Sequence, residues 1–236
     1  MQSVKILIFS AIVASLAAIN VQAAGTVAGS IKFEGTPPKA KKIKMDADPV
    51  CAEMHADAPM VSQEVVVNDN GTLRNVFVYV KDGLGDKTFE TPTEHVTLEQ
   101  KGCSYHPRVF GMQAKQPLDI VNSDETLHNI HALPTQSKEF NVGQPNKGMK
   151  TTRTFATPEV MVKLKCDVHP WMAAYVGVLS HPFYGVSGED GKFTIKNLPA
   201  GTYEIAAWHE KYGEQTQKVT VAEGESKTVD FTFKAE

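Results

Sequence analysis

Short runs of alternating or β-branched residues, each closed by a turn signal, recur along almost the whole chain. They read "GTVAGSIKF" (25–33), "QEVVVND" (63–69), "LRNVFVYV" (73–80), "EHVTLEQ" (94–100), "QPLDIVN" (116–122), "TTRTFAT" (151–157) and "EVMVKLKC" (159–166). The series continues with "AAYVGVLS" (173–180), "GKFTIKN" (191–197), "GTYEIAAWH" (201–209), "QTQKVTVA" (215–222) and "SKTVDFTF" (226–233). Asn70-Gly71, Asp190-Gly191, Pro199-Ala200-Gly201 and Glu223-Gly224 punctuate them. Such runs fit strands joined by tight turns and leave no room for a helical stripe. The pattern predicts an all-β fold, a sandwich or a pair of sandwiches, with at most a short helix inside 46–56. No low-complexity linker interrupts it, so any domain boundary is tight.

The first residues break the pattern. Lys5 precedes an apolar core from Ile6 to Ile19, and "VQAA" offers small residues for cleavage near Ala23 or Ala24. The apolar stretch is shorter than the roughly 20 residues that span a bilayer, so residues 1–24 read as an export signal. The expected mature chain is soluble, periplasmic and without a membrane span. Its length allows one large β domain or two small ones. The formal net charge is −3 and no basic patch stands out, which argues against a nucleic-acid partner.

The chain has three cysteines, Cys51, Cys103 and Cys166. In an oxidising compartment an odd cysteine pairs outside the chain, stays free or binds a metal. In "KLKCDVHPWM", Cys166, His169 and Met172 stand at even three-residue steps, and "VNSDETLHNIHALP" upstream supplies His128 and His131. Two imidazoles, a thiolate and a weak thioether suit copper cycling between Cu(I) and Cu(II). Zinc also takes Cys and His but has no use for Met172. If a metal takes Cys166, Cys51 and Cys103 are left to pair as a disulfide. Cys51 and His55, near Met54 and Met60, could instead suggest a second metal site, but Cys51 is better used in the bridge. His95, His106, His181 and His209 read as structural or solvated.

The segments "NSDETLHNIH" and "CDVHPWM" together resemble the cupredoxins, blue-copper electron carriers, in the form found in amicyanin and pseudoazurin. The likeness covers about residues 94–180 and includes "YHPRVFGMQAKQPLDIVNSD", which resembles the strand pair that precedes the first His in that fold. It implies one type-1 copper held by His128, Cys166, His169 and the axial Met172, with His131 left out. It also implies that Asn129 braces the site by hydrogen bonds. Trp171 stands where the family usually has Phe, and the resemblance makes it part of an apolar rim around an exposed edge of His169, where electrons enter and leave.

The C-terminal stretch, with Asp190, Gly191 and Phe193 in one turn and "LPAGTY" from Leu198 to Tyr203, resembles the carboxypeptidase regulatory-like domain, a transthyretin-like sandwich. The N-terminal "GTVAGSIKFEGTPP" resembles that domain's first strand. The implied layout is a signal (1–24), a β segment of the regulatory-like sandwich (25–93), a Greek-key cupredoxin (94–180) and the rest of the regulatory-like sandwich (181–236). No Gly-x-Ser-x-Gly, carboxylate pair or Ser/His/Asp arrangement marks a hydrolase. The expected function is therefore not enzymatic: a single-electron carrier between redox proteins, or, alternatively, a copper-delivery or partner-docking protein.

Overall fold

The structure, a computed structural model, describes residues 23–235. The export signal expected over 1–24 lies, apart from its last two positions, outside the described residues. The elements begin with β1 (Gly25–Glu34), the helix α1 (Pro49–Met54), β2 (Phe77–Asp82), β3 (Val96–Lys101), β4 (Ser104–His106) and β5 (Val109–Gln113). Next come β6 (Leu118–Asn122), β7 (His128–Leu133), β8 (Phe140–Gln144), β9 (Lys150–Arg153), β10 (Glu159–Lys165) and β11 (Ala173–Leu179). The chain ends with β12 (Tyr184–Val186), β13 (Lys192–Leu198), β14 (Gly201–His209), β15 (Gly213–Val221), β16 (Ser226–Thr228) and β17 (Phe231–Lys234). The fold is all-β, as the alternation predicts. Among the described residues no helix is long and apolar enough to cross a membrane.

Four sheets make two sandwiches. The strands of the first come from both ends of the chain. β1 pairs antiparallel with β13 (Val27↔Ile195) and parallel with β16 and then β17 (Ile31↔Phe231). The opposing sheet runs β12-β2-β14-β15. Val27, Ile31, Phe231 and Phe233 of one sheet meet Val78, Val80, Ile205 and Val219 of the other in a single apolar core. The expected single strand over 226–233 is split at Val229, where its backbone turns to bond Ala28 O (2.9 Å). A Cβ on Gly29 would strike the Val229 carbonyl, so a glycine is required there.

The second sandwich is built from β3 to β11. Its sheets run β5-β11-β10-β7-β8 and β4-β3-β6-β9. Leu98, Leu118 and Ile120 of one face Ile130, Leu164, Val176 and Val178 of the other. A smaller cluster of Phe77, Tyr79, Val109, Leu179 and Ala206 joins the two sandwiches. There Arg108 also grips Glu210 in a paired, largely buried contact (Nε–Oε1 2.6 Å, Nη2–Oε2 2.8 Å).

Other expected strands change too, and the run at 151–157 keeps its strand only as far as Arg153. Residues 63–69 form one isolated bridge, Val67↔Leu73, because the chain doubles back on itself at Asn70-Gly71. The run at 73–80 becomes a strand only from Phe77, since Asn75 is left-handed (φ 61) and breaks the extended backbone before it. The short helix expected within 46–56 is α1, begun by Asp48, whose side chain accepts from Val50 N and Cys51 N.

Candidate metal centre

Three elements bring the soft and nitrogen donors together. His128 opens β7, Cys166 follows the last residue of β10, and Met172 precedes the first residue of β11. β7 and β10 are hydrogen-bonded neighbours (Lys165↔His131), so the start of one and the end of the other share one rim of the sandwich. The loop 166–172 closes on itself through Cys166 N to Met172 O (3.2 Å) and Met172 N to His169 O (2.9 Å), which turns His169 back over Cys166.

All four expected ligands are buried: His128 0%, Cys166 2%, His169 1% and Met172 1% exposed. One donor atom each from His128, Cys166 and His169 lies within 4.8 Å of the others. The Nδ1 atoms of the two imidazoles face each other at 2.9 Å, and His169 Nδ1 is 3.9 Å from Cys166 Sγ. His169 N also points at that sulfur (3.3 Å). Each imidazole is held by its far edge: His128 Nε2 meets Asp124 Oδ2 at 2.9 Å, and His169 Nε2 meets Asp48 Oδ2 at 2.8 Å.

With both Nε2 atoms donating to carboxylates, both Nδ1 atoms carry lone pairs in the neutral rings. Two lone pairs cannot meet at such a distance without a cation between them, and a proton or a metal ion supplies it. Burial alone would depress His128, yet the Asp124 bond and the nearby Cys166 raise it to about 9. Burial likewise pushes the Cys166 thiol up, but the His128 and His169 bonds more than offset this and bring it down to about 6. A thiolate at neutral pH with two convergent imidazole nitrogens is a donor set that fits a borderline-to-soft metal ion.

Asn129 braces the loop. Its Oδ1 accepts from Asp167 N (2.7 Å) and lies 3.1 Å from Cys166 Sγ, while its Nδ2 reaches Asn141 Oδ1 (2.7 Å). His131 points away from the cluster and lies between Asp167 (2.9 Å) and Glu139 (2.7 Å). Cys51 and Cys103 form a disulfide. His55 Nε2 bonds Gly102 O (2.9 Å).

One expectation fails. His169 presents no exposed edge, because the segment carrying α1 lies over it. Asp48 takes its Nε2, and Cys51 Sγ sits 3.7 Å from the same atom. Trp171 packs against His169 (ring centroids 5.0 Å) and donates its indole N–H to Cys103 O (3.0 Å), so it secures that covering segment instead of framing an open edge. A small cleft lies beside Trp171 and Met172, bordered by Ile43, Met60 and Arg108. Asp48 and Asp124 were not singled out in the sequence. Asp48 could be read as a helix cap before Pro49, but its second partner is 121 residues away.

A family model described as the carboxypeptidase regulatory-like domain matches residues 172–234, well under half of the chain. That match starts inside the loop of the metal cluster and takes in β11 before reaching β12–β17. No curated protein matches the chain. Among solved structures, a purple cupredoxin from Nitrosopumilus maritimus is 21% identical, covering 35% of this chain and 98% of its own, with a TM-score of 0.31. A reduced amicyanin variant is 17% identical over 43% of this chain and 97% of its own (TM-score 0.32). A copper-containing nitrite reductase from Thermus scotoductus is 23% identical over 42% of this chain (TM-score 0.35), and the chain spans only 25% of that enzyme. These partial overlaps leave more than half of the chain uncovered, and the reading of the site rests on its own side chains.

Proposed function

We propose that the chain is an exported type-1 copper protein that carries single electrons between redox partner proteins. In this reading His128, Cys166 and His169 would hold the ion, with Met172 as the fourth and weakest donor. The observation that supports it most directly is the buried convergence of two imidazole Nδ1 atoms on a thiol already drawn toward its thiolate. Copper held there would gain and lose one electron by cycling between Cu(II) and Cu(I). The chain's part is to supply a thiolate and thioether that suit Cu(I) and imidazoles that suit Cu(II). A β framework and Asn129 then keep those donors in place as the charge changes.

Copper is preferred to zinc because Met172 closes the same buried loop, where a zinc site would recruit a fourth Cys, His or carboxylate. A carrier is preferred to a copper-delivery protein because a chain that hands metal on needs a ligand open to the acceptor, and all four here are buried. Export to an oxidising, periplasmic compartment accords with the Cys51–Cys103 bridge. The sandwich built from the chain ends is read as a docking or spacing module for a redox partner.

The test is a visible spectrum and voltammogram of the copper-loaded protein. Intense thiolate-to-copper absorption with reversible one-electron cycling is expected; a colourless copper complex would reject the type-1 assignment.

A further inference from the structure

Two carboxylates grip the outer edges of the two imidazoles, and they reach them from separate parts of the chain. Asp124 sits in the turn between β6 and β7. Its Oδ1 accepts from Gly102 N (2.8 Å), and its Oδ2 accepts from Cys103 N (2.8 Å) and meets His128 Nε2 (2.9 Å). Asp48 precedes α1, in a segment that contributes no strand to the sandwich bearing the ligands. Its Oδ1 caps the helix, taking Val50 N (2.9 Å) and Cys51 N (3.1 Å). Its Oδ2 takes Thr126 Oγ1 (2.8 Å) and His169 Nε2 (2.8 Å).

Capping alone accounts for one oxygen of Asp48; the other is aimed at His169. Each carboxylate also receives the backbone N–H of one half-cystine, so the disulfide that joins Cys51 to Cys103 ties the two carboxylate loops together. Thr126 adds a second tie from the turn that carries Asp124.

We propose that Asp48 and Asp124 are positioning residues of the metal centre, fixing both imidazoles with Nδ1 inward and biasing a bound redox ion toward its more positive state. The inference rests on the copper reading above. An imidazole whose N–H meets a carboxylate is oriented and becomes a stronger donor to metal. Two anionic carboxylates near a thiolate also make the region more favourable to a doubly than to a singly charged cation, and poor solvation strengthens that difference. The site is thereby pre-organised by a segment outside the sandwich, and its one-electron potential is held low.

The experiment compares copper-loaded full-length wild type with Asp48→Asn and Glu53→Gln. Asn caps a helix as well as Asp, so the first variant removes charge while keeping α1. Glu53 is an exposed carboxylate on the same helix and serves as the control. Expected is a blue Asp48→Asn protein whose preference for Cu(II) over Cu(I) is about tenfold weaker, read as a midpoint potential roughly 59 mV higher. A potential no different from that of Glu53→Gln would overturn the bias.

A second measurement needs no metal. In the metal-free protein the His169 Nε2 proton, followed by NMR, should exchange with solvent at least about tenfold faster in Asp48→Ala than in wild type, as for a lost buried hydrogen bond of more than about 1 kcal/mol. Equal rates would overturn the positioning role. A wild type that binds copper without colour would instead reject the copper reading, and the proton-exchange result would then stand by itself for Asp48.

Discussion

The sandwich made from the chain ends and the sandwich between them solve the same packing problem with different materials. The first closes β1, β13 and β17 over β2, β14 and β15 with a core of Val, Ile, Leu and Phe. The second also has an apolar centre, but it carries most of the buried polar side chains, among them Gln100, Asn122, Asp124, His128, Asn129, Gln144 and His169. Nearly every one has a named partner, such as Asn122 Nδ2 to Gln144 O (2.9 Å) or Thr152 Oγ1 to Asp119 Oδ1 (2.6 Å). An apolar core tolerates exchange of similar residues. A buried polar network does not, because removing one partner strands the other. The inner sandwich is therefore the less forgiving of the two.

The largest separation between the regions comes from Cys166→Ser. It should remove all visible thiolate absorption from the copper-treated protein while β1 and its partners melt as in wild type. Residual colour, measured by absorption at equal copper loading, would break the assignment of chemistry to the inner sandwich.

Next is the Cys51→Ala, Cys103→Ala pair. The bridge closes a loop with a sequence separation of 52, and on chain-entropy grounds its loss should cost about 4 kcal/mol in urea unfolding. That loss should fall on the region holding α1 and the metal loop. Unfolding midpoints unchanged by the double substitution would show that Trp171, His55 and Thr126 hold the segment without it.

Acid should find the other sandwich. His209 is buried beside Tyr212 and Phe233, and burial first, then the charges of Arg108 and Lys211, lowers it from 6.5 to about 4. The folded state therefore binds the proton less readily than the unfolded chain. Its contribution is complete above pH 6.5 and is lost as pH falls toward about 4, a change on the order of 3 kcal/mol. Urea unfolding of wild type and His209→Gln across that window should differ in slope; parallel curves would remove His209 as the acid-sensitive group.

The smallest effect is expected at His131. It lies half-buried between Asp167 and Glu139 and faces away from the cluster, so His131→Ala should keep the colour and lose about 1 kcal/mol or less. Copper lost there but retained in His128→Ala would exchange the roles of the two histidines.

The same contrast governs what could be read from the sequence. The runs at 191–197, 201–209 and 215–222 match β13, β14 and β15 closely, because inward residues such as Phe193, Ile195, Tyr203, Ile205, Val219 and Val221 recur at every second position. Alternation did not show β4, β7 or β8 of the inner sandwich, and β5 was reached only through the resemblance of 105–124. β5 is buried at all five residues and β7 at four of six, so neither shows an exposed alternate face, and β4 is too short to show a pattern. At the site, Cys166, His169 and Met172 stand in one seven-residue loop, and spacing revealed them. The carboxylates did not announce themselves: Asp48 and Asp124 look like ordinary turn and cap residues until the fold brings them to the imidazoles. The covering of His169 was invisible for the same reason, since it depends on a segment over a hundred positions upstream.

The first strand has a consequence for how the molecule is made. Among the described strands β1 comes first, yet two of its three strand partners, β16 and β17, come last; Ser30 bonds Asp230 across 200 positions. β3 to β11, by contrast, find all their ladder partners among themselves. The half that holds His128, Cys166 and His169 can thus close by itself, while its neighbour stays an open hem. Lys32 and Glu34, followed by Pro37 and Pro38, place charge and proline along that waiting edge, the means by which unpaired strands discourage pairing with strangers.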